Sequence, residues 1–115
     1  MFSLSALEDA ERLVTSQMHP TAHYAWPQLQ ERLGCKVWVK HENHTPTGSF
    51  KVRGAITFID WLRRTQPDCP GIITATRGNH GQGQAMAATA AGMRAVVYAP
   101  RGNSVEKNNA MRAFG

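Results

Sequence analysis

The sequence predicts an α/β fold organised around a parallel sheet, and three observations carry that prediction. From Gly71 onward the pattern reads strand, helix, strand, helix, the order that a parallel pair joined by a crossover helix produces. The two strand candidates, residues 71–76 and 94–99, are short apolar runs rather than long alternating segments, as buried parallel strands are. Between them, residues 79–91 are rich in alanine and stop at Gly92, a helix with a glycine end signal.

The earlier elements follow from spacing and punctuation. Residues 5–18 read as a helix, with Leu7, Ala10, Leu13 and Val14 on one side. His19-Pro20-Thr21 breaks it. Residues 24–29, which hold Trp26 and Pro27, read as irregular. After Gly34, residues 35–40 alternate like a strand, and Pro46-Thr47-Gly48 is a turn. Residues 49–65 have helical spacing, with Val52, Ala55, Ile56, Ile59 and Leu62 on one face and Arg53, Asp60, Arg63 and Arg64 mostly away from it. Ser49 is a fair N-cap for that helix. Pro100 and Gly102 mark a loop, and a last helix begins near Asn103 or Ser104.

Composition narrows the function classes. At 115 residues and 42% hydrophobic, the chain has the makings of one packed domain and not of a disordered one. Its net charge of +5 suits an anionic partner. The basic residues are scattered and form no run, so no nucleic acid is expected as that partner. Cys35 and Cys69 are far apart and make no CxxC pair, as in a cytoplasmic protein with reduced thiols. The first residues carry Glu8, Asp9 and Glu11 and no apolar stretch, so neither a signal peptide nor membrane attachment is expected. Asn43-His44-Thr45 matches a glycosylation sequon by coincidence in such a chain.

Two segments carry chemistry. In the first, Lys51 follows Thr47-Gly48-Ser49-Phe50 and falls in the first turn of a helix. Lysine has the wrong charge for a helix N-terminus, where free N–H groups carry partial positive charge. That field favours the free amine, the form that attacks an aldehyde. Phe50 beside it offers a flat apolar face for an aromatic cofactor or, in the bland alternative, packs into the core. The second segment, Thr76-Arg77-Gly78-Asn79-His80-Gly81-Gln82-Gly83, joins a strand to a helix N-terminus. Free N–H groups and small residues there make an anion site. Thr76 can bind a carboxylate through its hydroxyl. Asn79 can donate to a phenolate-like oxygen, or it can be an ordinary N-cap.

Competing motifs fail on single residues. Gly78 and Gly83 have P-loop spacing, but Gln84 stands where lysine is required. Gly81-Gln82-Gly83 begins a dinucleotide fingerprint that breaks at Met86. His41-Glu42 is followed by Thr45 at the position where HExxH needs histidine. The histidines otherwise show no ligand spacing, so no metal is expected.

Residues 40–55, KHENHTPTGSFKVRGA, and 78–83, GNHGQG, together resemble the fold-type II pyridoxal-phosphate enzymes, and among them the serine/threonine dehydratase group. Tyr24-Ala25-Trp26-Pro27, Ala99-Pro100, Lys107 and residues 110–115 are similar to that family too. The resemblance implies a fold like that of the tryptophan synthase β chain, with pyridoxal 5'-phosphate as cofactor. It implies catalytic roles for Lys51, as Schiff-base lysine and mover of the α-proton, and for Ser49, near the leaving hydroxyl. Phe50 would pack on the cofactor ring and Asn79 would bond its 3'-oxygen. The loop Thr76, Arg77, Gly78, Asn79 and His80 would hold the substrate carboxylate. The family more often has Ser-Ala before Gly-Asn-His, so Thr76 and Arg77 leave the amino acid open. The implied reaction turns threonine or serine into a 2-oxo acid and ammonia. A racemase or β-replacement synthase of the same fold and a non-catalytic remnant are the alternatives. The family is expected to form homo-oligomers when intact. Its glycine-rich phosphate loop and its pyridine-nitrogen contact lie further along than the matching residues. Residues 1–115 are therefore expected to be the N-terminal portion of a longer catalytic region, inactive alone.

Overall fold

A computed structural model describes residues 3–115; residues 1 and 2, part of the stretch read as unlike a signal peptide, lie outside the described residues. Helix α1, Leu4–Gln17, starts where the Ser3 side chain accepts a hydrogen bond from the Ala6 N–H at 3.1 Å. Only its C-terminal half is buried, through Val14 and then Met18. Leu7, expected on the packed side, is 63% exposed. The packed side is carried by Ala10 and Leu13, both part-buried, and by buried Val14, and Leu7 reaches past it into solvent.

The stretch read as irregular is ordered. It holds strand β1, His23–Ala25, and helix α2, Pro27–Leu33. Pro27 sits at the first position of α2 and Gly34 closes it at φ +67°, the expected asymmetry of helix ends. Three residues of strand are too few for an alternation to register, and α2 has no buried residue, so neither gives a hydrophobic period. Strand β2, Trp38–Lys40, pairs antiparallel with β1 in the register His23 to Lys40 and Ala25 to Trp38.

A short 3-10 turn, Glu42–His44, leads to helix α3, Lys51–Thr65. Its expected apolar face is the buried one: Val52, Ala55, Ile56, Ile59 and Leu62. Strand β3, Gly71–Ala75, helix α4, Asn79–Ala90, and strand β4, Arg94–Tyr98, form the crossover unit, with β3 and β4 parallel from Gly71 opposite Arg94 to Ala75 opposite Tyr98. Helix α5, Val105–Arg112, is capped by Ser104. The parallel α/β prediction therefore holds. The strands are not fully buried as expected, however. Ile73 is 74% and Tyr98 64% exposed, because among the described residues helices cover the other face of this pair.

The core lies between helices. Val52, Ala55, Ile56, Ile59 and Leu62 of α3 pack with Ala87 and Ala88 of α4 and with Val14 and Met18. Helix α4 is enclosed on most sides, burying Gly81, Gly83, Gln84, Ala85, Ala87 and Ala88, which is why it is built from the smallest residues. The closest approach is at Gly83. A Cβ there would lie 3.2 Å from Val52 Cα and 3.3 Å from the Lys51 carbonyl carbon and oxygen. These are backbone atoms and cannot swing aside. No helix among the described residues is long and apolar enough to cross a membrane.

The crossing sets the first expected outcome. Gly83→Ala forces α4 off the start of α3, and overpacking of this kind costs about 1–3 kcal/mol. Chemical denaturation should show that loss with an unchanged dependence on denaturant, while a control Gln82→Ala, beside it on α4, should stay within about 0.5 kcal/mol.

Candidate active site

The loop that delivers Lys51 is fixed internally. The Thr45 hydroxyl accepts from the Ser49 N–H at 2.8 Å and donates to the Ser49 carbonyl at 2.9 Å. Between them Gly48, at φ +66°, turns the chain in a conformation that favours glycine. Ser49 is buried, and its Oγ accepts from the Lys51 N–H at 3.3 Å. Ser49 is not the cap expected from the sequence, because the helix starts one residue later and Phe50 occupies that position, but its Oγ still takes up the first helical N–H. Lys51 is the first residue of α3. Phe50 does not pack into the core; its ring is exposed and lies 4.8 Å from the Lys51 Nζ, a cation–π distance.

An ionic clamp holds the same turn from outside. Arg53 donates from Nε to Glu42 Oε2 at 2.7 Å and from Nη2 to Glu42 Oε1 at 2.9 Å. The Thr21 hydroxyl, in a buried residue, adds a 2.6 Å bond to Glu42 Oε1, and Lys40 Nζ donates to the Thr21 carbonyl at 3.0 Å. Segments before β1, at the end of β2 and in the 3-10 turn are thereby tied to the first turn of α3. The Arg53 guanidinium holds the Glu42 carboxyl below the usual carboxylate range; partial burial opposes this and the Thr21 hydroxyl assists it. Glu42 in turn raises Arg53. The paired fork geometry is the strong form of such contacts. Arg53, read from the sequence as facing away, is half-buried because of this pairing.

A groove of about 700 Å³ runs between α3, β3 and α4, lined by Phe50, Lys51, Gly54, Phe58, Thr74, His80 and Gln84 among others. Of the residues singled out from sequence, Phe50, Lys51 and His80 line it. Thr76, Arg77, Gly78 and Asn79 form a separate turn at the start of α4. The Thr76 hydroxyl accepts from the Gly78 N–H at 3.3 Å, and the Arg77 carbonyl accepts from Asn103 Nδ2 at 3.1 Å. Asn79 is exposed, and the cap position belongs to Gly78, so the ordinary N-cap reading of Asn79 does not apply. Among the described residues no cluster of three or more metal-ligating side chains exists.

Sequence reading passed over three residues here. Glu42 and Arg53 are eleven positions apart and joined only by the fold. Gln84 sits on the buried α4 face with Gly81, Ala85 and Ala88, an i, i+3, i+4, i+7 pattern in which one polar member is the signal.

Comparisons with known proteins bear on the family and the fold. The family model for pyridoxal-phosphate dependent enzymes matches residues 14–115. The biosynthetic L-threonine dehydratase of Pasteurella multocida is 43% identical over 88 residues, covering 76% of this chain and 17% of that protein. The L-threonine ammonia-lyase of Thermotoga maritima is 35% identical over all 115 residues, 28% of its own length. A solved pyridoxal 5'-phosphate-dependent aspartate racemase superposes with a TM-score of 0.91 at 29% identity, over 98% of this chain and 36% of that one. The chain thus spans well under half the length of these relatives.

The clamp has a pH signature. Because the Glu42 pKa is lowered on folding, its contribution is complete above the ordinary value of 4.5 and is lost as pH falls from there through the lowered value. Thermal melts of the wild type and of Glu42→Gln should therefore converge as pH drops below about 4.5, with the wild type higher at neutral pH.

Proposed function

The chain belongs to the pyridoxal-phosphate dependent enzyme family, and on that premise we propose that it is the lysine-bearing portion of an enzyme that dehydrates and deaminates threonine or serine to a 2-oxo acid and ammonia. The observation that carries the reading is Lys51 itself: the first residue of a helix, beside the exposed Phe50 ring, on an apolar groove.

The residues present fit the cofactor. Phe50 offers an uncommitted aromatic face. The turn at Thr76–Asn79 offers an unengaged hydroxyl proton, an exposed amide and the open N-terminus of α4. Bound pyridoxal 5'-phosphate supplies an electron sink for the charge left when the α-proton departs. Lys51 acts first as the nucleophile that holds the cofactor and then as the base that takes the α-proton. Thr76, Arg77, Gly78, Asn79 and His80 bind and orient the substrate carboxylate, and Asn79 also donates to the cofactor's ring oxygen. Ser49, buried behind Lys51, fixes the backbone from which the amine projects. The relatives named as dehydratase and ammonia-lyase support this reaction. The aspartate racemase supports a second reading, in which the same lysine removes an α-proton and no hydroxyl is expelled. A homo-oligomeric, cytoplasmic enzyme is the assembly that goes with either reading.

Mixing the chain with pyridoxal phosphate, reducing with borohydride and mapping peptides should place the adduct on Lys51, and Lys51→Ala should lose it while staying folded, with a melting temperature no lower than that of the wild type. An adduct that persists in Lys51→Ala removes the lysine assignment. The 115 residues alone should turn over threonine or serine little or not at all. In the longer protein, chiral analysis of residual substrate separates the readings, since a lyase yields 2-oxo acid and a racemase yields the D-amino acid.

A further inference from the structure

Gln84 is only 6% exposed, and its Oε1 has no hydrogen-bond partner. It lines the groove together with Lys51, Phe50 and His80. Its neighbours on the buried face of α4 are glycine and alanine, and no donor among the described residues, His80 one turn earlier included, is within hydrogen-bond distance of that oxygen. An enclosed carbonyl oxygen without a donor destabilises a fold, and an apolar side chain of equal size would serve the packing better. The amide is explained by a donor that enters the groove from outside.

We propose that Gln84 is a specificity-determining residue, whose amide oxygen accepts a hydrogen bond from the side-chain hydroxyl of the amino acid bound in the groove. The inference rests on the reading that the groove takes pyridoxal phosphate and an amino acid. Lys51 must reach the α-carbon of that amino acid. Its hydroxyl, one carbon further on, therefore falls within the same groove that Gln84 lines. A buried acceptor of this kind discriminates strongly against a ligand lacking the hydroxyl, because the ligand that lacks it leaves the oxygen unpaired.

The test compares the wild type with Gln84→Met, which keeps the volume and removes the amide. Without ligand, Gln84→Met should melt about 4–8 °C higher, the shift that about 1 kcal/mol of relieved desolvation gives in a domain near this size. With pyridoxal phosphate bound, absorbance titrations should show Gln84→Met binding L-threonine about three- to tenfold more weakly. Its affinity for L-2-aminobutyrate, which is threonine without the hydroxyl, should be unchanged. Equal effects on both ligands, or none, overturn the inference while leaving the lysine reading intact. A melting temperature that does not rise also overturns it, since the oxygen is then already satisfied. If Gln84→Met fails to fold, Gln84→Leu gives the same two readouts. These ligand titrations use the longer protein, and a longer protein that takes up no pyridoxal phosphate overturns both the inference and the reading beneath it.

Discussion

The site depends on one contact, the crossing of α4 over the start of α3 at Gly83. No side chain separates the two helices there, and the missing Cβ would lie against the backbone of Lys51 and Val52. The first residue of α4 is four positions earlier, about 6 Å along the helix axis. Two segments far apart in sequence are thus brought within a ligand's length of each other: the loop that ends in Lys51 and the turn that opens α4. Both helix starts carry free N–H groups, so partial positive charge converges on one region. A phosphorylated, carboxylate-bearing pair of ligands suits that field, and an ordinary protein surface has no use for it.

Several local choices around the groove work against stability. A lysine in the first turn of a helix opposes the helix dipole, at a cost of about 0.3–1 kcal/mol. Phe50 keeps its ring in solvent. Gln84 buries an oxygen with no partner, a loss of about 1–3 kcal/mol. The surrounding structure offsets them. The Thr45–Ser49 hydrogen bonds fix the loop, and the Glu42–Arg53 fork, tied to Thr21, fixes the first turn of α3. Breaches of local rules gathered in one place, with reinforcement immediately behind, are what a site held ready for a ligand looks like.

The parts of the fold that were legible in the sequence are those with a sustained hydrophobic period or a strong stop signal. The buried face of α3 could be read residue by residue, as could the β3–α4–β4 order with its Gly92 boundary. Helix α2 escaped notice because it buries no residue, and β1 because three residues cannot show an alternation. The exposure of Ile73 and Tyr98 was not readable either, since an apolar run looks the same whether one face or both are covered. Within the site, Lys51 and Phe50 were legible through their local motif. The Glu42–Arg53 clamp was not, because the pairing exists only once β2, the 3-10 turn and α3 are assembled. Gln84 was noticed for failing to be a P-loop lysine, but its burial depends on how α4 packs.

The polarity of the Gln84 oxygen bears on which step it can serve. Expelling a hydroxyl as water requires a proton donor, and a lone carbonyl oxygen can only accept. In the proposed role, Gln84 would hold the hydroxyl in place without protonating it. On the proposed reaction the departing oxygen would need its proton from another group, and Lys51, carrying the α-proton, would be the one on the same groove. Ser49 would be a weaker candidate for that transfer, because although its hydroxyl keeps its proton while accepting from the Lys51 N–H, the residue is buried and does not line the groove. Selection of the substrate and removal of its hydroxyl would then fall to different residues of one groove. A racemase with the same lysine would need a second acid on the opposite face of the deprotonated carbon, since a proton returned by Lys51 alone restores the original hand. On the proposed reading, lyase and racemase would differ in where the second acid stands: at the hydroxyl, or on the face of the α-carbon opposite Lys51.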